Sequence, residues 1–493
     1  MNPSEKNKFI LTLVFISWLL LNLLMLFFHE PWRDELEAWS IAKNSSSISD
    51  LFRNSAYEGH PKLWFLILFL TSKFSGSITL AKIIHLSITS VGVWIFLKRF
   101  PFQLWLSALC IFGYFFCYEY SVIFRNYGIS VTLLFLFCAL APKKQHLLLS
   151  VIIFLIAQTN ALAFLVGISL WFIYFLHNFK SAGKNFITAN FIFLAGIVCF
   201  VFSTIPPTDS GIAEGWFQTW DYASKSIATI WDAFIPIPLA NIHSWNSNFI
   251  SSLVPATSVP YVKNTGAVLL IIVCFYNLRH SLKAGLFFLF TCILIGSFIS
   301  FKYHGSLRHH GFFFIAFLIA LWLSKIYPSE NKTNFFANLF SGKAISSLLK
   351  CSLPALFVFQ VVATFLSYYS DLKYPFSNAQ AAAEFIQKNF PRQVQITGDF
   401  DYETCAVTSY LDKEAFFLNS KRKGKFIVWD DKRDWPMEDT LIARYLKLKY
   451  EQGSNRENVI LISTKEIKDT STIKLIKTFP PSIVVDEQFF IYK

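Results

Sequence analysis

The sequence predicts an α-helical polytopic membrane protein with about eleven transmembrane helices and a small C-terminal α/β domain. Three observations lead there. Of the 493 residues, 54% are hydrophobic and 15% are charged, whereas soluble chains carry about a quarter charged residues. Apolar runs near twenty residues recur from Phe9 to Tyr369, long enough to cross a hydrocarbon core of about 30 Å. After Tyr369, strand-like and helical stretches alternate instead.

The spans are expected near 9–28, 78–97, 103–118, 127–141, 146–159, 161–177, 186–204, 265–278, 285–301, 311–325 and 350–369. The first has no small-residue cleavage site and reads as a retained signal anchor. Leu63–Leu70 rises roughly 12 Å as a helix, less than half the core, so it is expected to lie along the interface. With the N-terminus inside, the inner connections carry Lys6/Lys8, Lys98/Arg99, Lys143/Lys144, Lys180/Lys184, Arg279/Lys283 and Lys325/Lys332/Lys343/Lys350. A spanning Leu63–Leu70 would flip every later loop and turn its basic groups outward, against the positive-inside rule. The expected organisation is therefore a membrane part over 1–370 and an extracytoplasmic domain over 371–493 in a bacterial-type inner membrane. The outer loops fall at 29–78 and 205–266, the second rich in Trp and Pro (Trp216, Trp220, Trp231, Pro236, Pro238, Trp245) and expected to roof a cavity. In the C-terminal part, strands are expected at 393–398, 425–429 and 458–463, and helices near 378–389 and 437–450.

The formal charge of +13 is carried largely between apolar runs, an orientation signal and not a nucleic-acid face. Eight scattered Cys without a Cys-x-x-Cys pair indicate neither a disulfide framework nor a thiolate metal site.

Chemistry concentrates at span ends. Trp32, Leu36 and Trp39 form a helical apolar stripe expected to rest on the bilayer surface. Asp34 and Glu35 lie off that stripe; such acids also favour a helix N-terminus with no further role. His60 and Lys62 belong to Tyr57-Glu58-Gly59-His60-Pro61-Lys62, which also reads as a plain turn into a helix. Lys82 opens the second span and reads equally as a snorkelling cation. Arg125 and Tyr127 sit in an aromatic turn that also fits an interfacial belt, although Arg125 has only Glu119 as a nearby partner there. Arg308, His309 and His310 open the tenth span, and with His304 make three His in seven residues. A divalent metal there needs Asp or Glu from elsewhere; phosphate contact by Arg308 with His support is favoured. The charge-derived topology places Asp34, Glu35, His60, Lys82, Arg125 and Arg308–His310 on one outer face. Acids and cations together at a membrane edge suit a reaction whose leaving group is a lipid phosphate.

These motifs, an Asp-Glu pair after the first span, His60-Pro61-Lys62-Leu63, a basic residue opening the second span and Arg125-Asn126-Tyr127, resemble the GT-C superfamily of integral membrane glycosyltransferases. The chain is most similar to the group of protein O-mannosyltransferases and the aminoarabinose transferase of lipid A, over roughly 9–330. The resemblance implies a GT-C-like fold, with Asp34 as catalytic base supported by Glu35. It also implies a polyprenyl-phosphate-sugar donor, transferred with inversion to a glycan, lipid or protein acceptor. Lys82 stands where many members have Arg and lacks the bidentate fork. His60-Pro61-Lys62 departs from the usual double proline. No cofactor is fixed by the motifs. The rival readings are a flippase for lipid-linked sugar, which should carry ionisable groups at mid-membrane, and a non-catalytic envelope scaffold.

Overall fold

The computed structural model describes residues 3–181, 183–211, 220–329, 349–452 and 458–493. Among them, nine helices are long and apolar enough to cross a membrane: Glu5–Phe28, Ile78–Arg99, Asn126–Lys143, Ala161–Asn178, Lys184–Thr204, Val259–Leu278, Leu282–Phe301, Leu307–Ile326 and Ser352–Lys373. Leu63–Phe74 and His146–Ala157 are apolar but shorter, so the second of these, expected as a span, rises only about 18 Å. Trp216, Lys332 and Lys343 lie outside the described residues.

In the first part of the bundle, helix α1 is Pro3–Phe28, α2 Arg33–Lys43, α3 Ile48–Asn54, α4 Leu63–Phe74, α5 Ile78–Arg99, α6 Leu104–Ile111 and α7 Asn126–Leu140. Then come α8 His146–Ala157, α9 Ala161–Asn178, α10 Lys184–Thr204, α11 Trp220–Phe234, α12 Ile250–Leu253, α13 Val259–Leu278, α14 Leu282–Phe301, α15 Leu307–Ile326 and α16 Ser352–Lys373. Helix α15 is buried from Leu307 to Leu323. It runs through the middle of an aromatic-rich core, which is why its sequence is apolar on every face.

The expected span at 103–118 is broken. Helix α6 ends at Ile111, and a single π turn follows at Phe115–Glu119. The break lies at a close approach of two elements: a Cβ on Gly113 would lie 2.8 Å from the Gln360 Cβ. The carbonyls freed by the break find side-chain donors. Thr364 Oγ1 donates to Phe112 O at 2.8 Å, Trp18 Nε1 to Phe116 O at 3.2 Å, and Tyr368 Oη to Cys117 O at 2.6 Å. Non-helical backbone within a bundle requires such partners.

Two other expectations change. Trp32, Leu36 and Trp39 are each at most 3% exposed; the stripe packs into protein and not onto a bilayer. Trp39 joins α4, and Leu36 joins the core of the C-terminal region. The loop at 205–266 contains helix α11, whose Ala233 and Phe234 carbonyls accept from Gln360 Nε2 at 2.9 and 3.1 Å. It is a packed element of the bundle.

The C-terminal sheet has six strands in the order β3-β2-β1-β4-β6-β5: β1 Gln395–Gly398, β2 Ala415–Phe417, β3 Arg422–Gly424, β4 Val459–Ser463, β5 Leu475–Thr478 and β6 Phe490–Tyr492. The centre β2-β1-β4 is parallel and the outer pairings are antiparallel. Alternation along β4 decides what packs where. Ile460 and Ile462 face Ala379–Asn389 (α17) and Asp401–Leu411 (α18), while Val459 and Leu461 face Glu438–Glu451 (α19). Residues 425–429, expected as a strand, are not one. They dock on the first loop instead: Ile427 N donates to Glu37 Oε1 at 2.9 Å, and Lys425 O accepts from Ser40 Oγ at 2.9 Å.

Candidate active site

Three helix N-termini meet at Asp34. The first is that of α2, where Glu35 reaches back to accept from Trp32 N at 3.1 Å and leaves Asp34 in the first turn. The second is that of α7, whose N-cap is Arg125. The third is that of α15, capped by Ser306, with Arg308 in its first turn. Arg308 Nη2 is 3.0 Å and Arg125 Nη2 3.6 Å from Asp34 Oδ2, and Arg125 Nη1 also donates to the Asp34 carbonyl. Helix N-termini and guanidinium groups together make a region built for negative charge.

Burial would raise the Asp34 pKa, but Arg125, Arg308 and Arg33 outweigh it and hold the carboxyl below its usual range. The side chain keeps 26% of its surface accessible, so the carboxylate is within reach of a ligand. Arg308 retains a spare donor, since its buried Nε has no hydrogen-bond partner among the described residues. Its guanidinium lies 5.3 Å from the Trp32 ring and 5.7 Å from that of Trp245. Trp245 is held by donating to Glu119 Oε2 at 3.0 Å.

Ser306 N donates to His309 Nδ1 at 2.9 Å, so His309 Nε2–H donates to Tyr127 Oη, also 2.9 Å away. Tyr127 keeps its own proton for another acceptor. His60 sits within electrostatic range of Asp34, Arg125 and Arg308; burial and the arginines push it down to about 3, so it is a neutral imidazole.

The other expected residues have different partners. Glu35 is fully buried and accepts from Phe124 N at 2.7 Å through Oε1, with His29 Nε2 3.2 Å from Oε2. Both oxygens are engaged, so its action on Asp34 is through the backbone it fixes. His29 Nδ1 lies 2.8 Å from Asp371 Oδ2, which also accepts from Tyr118 Oη at 3.1 Å. Lys82 Nζ donates to the His29 carbonyl at 2.8 Å and so belongs to this buried network, not to the arginine pair. Lys62 donates to Ser55 O at 2.7 Å, and burial lowers it to about 8. His310 Nε2 donates to His304 O at 3.1 Å. Among the described residues, no three His, Cys, Asp or Glu side chains group as metal ligands.

Sequence reasoning missed Glu58, His29 and Asp371. Glu58 is pushed up to about 7 by burial and by Asp34, against Arg125. It was visible only as a turn residue, and Asp371 only as an acid near the end of the last span.

Among the described residues, nine span-length helices carry a small mixed sheet over the end that holds Asp34, a mostly helical membrane-type fold. No protein-family model matches the sequence, and no curated protein matches it. Among solved structures, the chain is similar to the crystal structure of ArnT from Cupriavidus metallidurans bound to undecaprenyl phosphate. The TM-score is 0.50 over 98% of this chain and 97% of that one, at 12% identity, so the likeness is one of fold.

Proposed function

We propose that the protein transfers a sugar from a polyprenyl-phosphate carrier to an envelope acceptor at the outer face of the inner membrane. In this reading, residues 1–370 form the catalytic membrane part and 371–493 an extracytoplasmic domain. The observation that carries it is a partly accessible carboxylate shared by two arginines, one with an unused donor, where three helix N-termini meet. The bound undecaprenyl phosphate of the ArnT structure is a ligand of the matching chemical class.

The donor's phosphodiester takes the Arg308 and Arg125 guanidinium groups in bidentate fashion. That frees Asp34 from its ion pairs. The acceptor hydroxyl attacks the anomeric carbon, its proton passes to the Asp34 carboxylate, and the carbon–oxygen bond to phosphate breaks. The electron pair leaves with polyprenyl phosphate, which the arginines stabilise. Attack opposite the leaving group inverts the anomeric centre through an oxocarbenium-like state. A weak base suffices, because the attacking oxygen becomes acidic only as its new bond forms. In this reading Tyr127 and His60, both within electrostatic range of Arg308, contact the sugar or its phosphate.

Turnover tests this. In nanodiscs made with the host's lipid extract, the wild type should convert a carrier-linked sugar to free polyprenyl phosphate. Asp34→Asn should lower the rate by roughly 100-fold or more, since general-base effects run from about 100-fold upward. A wild type that consumes no carrier-linked sugar overturns the proposal.

A further inference from the structure

The parallel centre of the C-terminal sheet has a topological switch. Chain order leads from β1 through α18 to β2 on one side, while α19 precedes β4 on the other. Open α/β sheets bind ligands outside the carboxyl ends of their strands at such a point. Here Asp399 ties the two strand ends together, accepting from Thr464 N at 2.8 Å, Ser463 Oγ at 2.9 Å and Phe400 N at 2.7 Å.

Aromatic side chains crowd the edge beside it. Trp435 packs on Tyr402 with ring centroids 5.5 Å apart and on Phe400 at 5.6 Å, and Trp429 lies 6.5 Å from Tyr402. The Arg433 guanidinium sits 4.1 Å from the Trp429 ring, 5.8 Å from Trp435 and 5.9 Å from Tyr402. Asp401 binds it through Nε and Nη2 at 2.7–3.1 Å. The rings are thus held rigidly, yet Trp435 is 65% and the nearby Met437 80% exposed. Large exposed apolar groups rimmed by polar ones mark interaction sites.

The platform also leads to Asp34. The Arg33 guanidinium is 5.3 Å from the Tyr402 ring and 5.5 Å from that of Trp32, and Arg308 lies 5.3 Å from Trp32 and 3.0 Å from Asp34. The accessible part of this series runs from Trp435 over Tyr402 to Arg33, whose side chain is 20% exposed, and its chain neighbour Asp34, 26% exposed, while Trp32 lies buried beneath. Flat, rigid rings take the C–H face of a pyranose, and the interleaved guanidinium groups donate to its hydroxyls.

We propose that this edge is the acceptor subsite and that the acceptor is an oligosaccharide. Its distal sugar stacks on Trp435 and Tyr402, and its chain crosses Arg33 until one hydroxyl reaches the adjacent Asp34. The acceptor role rests on the transferase reading, whereas the saccharide site is measurable without turnover. The test is saturation-transfer NMR on the full chain in nanodiscs. The probe is the delipidated envelope oligosaccharide released from the host by mild acid, with no donor present. Wild type, Trp435→Phe and Asp34→Asn should saturate the distal sugar's C–H protons, and Trp435→Ala should weaken binding roughly tenfold. Equal transfer from wild type and Trp435→Ala, or none from wild type, overturns the site. So does stronger quenching of wild type than of Trp435→Phe by brominated lipid, which would place Trp435 in the bilayer. Saccharide binding without consumption of any carrier-linked sugar would leave the site standing and remove only the transferase reading.

Discussion

Arg125 and Arg308 hold Asp34, and under the proposed reaction a phosphodiester competes for the same donors. The aspartate's neighbour is held just as firmly from the other side. His29 bridges Asp371 and Glu35 with no exposed side-chain surface. Burial alone would depress the imidazole, but the two carboxylates lift it to about 9. A raised folded-state pKa contributes stability that is complete below the unfolded value of about 6.5 and is lost as pH rises through about 9. The melting temperature of the wild type should therefore fall between about pH 7 and about pH 10 more steeply than that of His29→Gln. His29→Ala leaves two buried carboxylates facing each other and should cost roughly 3–5 kcal/mol at neutral pH. A flat, equal pH response of both proteins in thermal unfolding would refute this role. Asp34, Arg125 and Arg308 were legible in the sequence because each is a charged group at a span end with few local partners. The partners of Glu35 and Lys82 were not legible, because His29 and Asp371 approach only when α1 and α16 pack.

At the scale of elements, periodicity located the long helices but not where backbone regularity stops. The stretch 103–118 is apolar throughout, and hydropathy alone does not register that Gly113 lets the end of α6 touch α16. Gly113→Ala should destabilise the protein by roughly 1–3 kcal/mol through overpacking against Gln360, read as a lowered melting temperature in detergent. An unchanged value would show that the contact has room. The apolar run 425–429 misled in the opposite sense. Its residues are partly buried because the first loop covers them, not because a neighbouring strand pairs with them. Glu37 and Ser40 supply the hydrogen bonds that a strand would have received.

For the whole molecule, composition and span-end charge gave the architecture, and packing supplies the link between its two parts. Arg33 N donates to Glu487 Oε1 at 3.0 Å, and Gly211 N donates to Trp429 O at 3.0 Å. The first loop, the 205–211 segment and the C-terminal sheet therefore share one end of the bundle. Cys placed at Met437, in a background lacking the exposed Cys199 and Cys351, should react with an impermeant thiol reagent on intact cells. Cys at Lys180 should react only after permeabilisation, and the reverse pattern would invert the topology. Sugar transfer through Asp34 is tested most directly by mass spectrometry of envelope glycans and lipids from wild type, a deletion and Asp34→Asn at matched expression. The same sugar residue should disappear from the acceptor in both mutants while its carrier-linked form persists or accumulates. A wild-type profile from Asp34→Asn would contradict catalysis by this carboxylate.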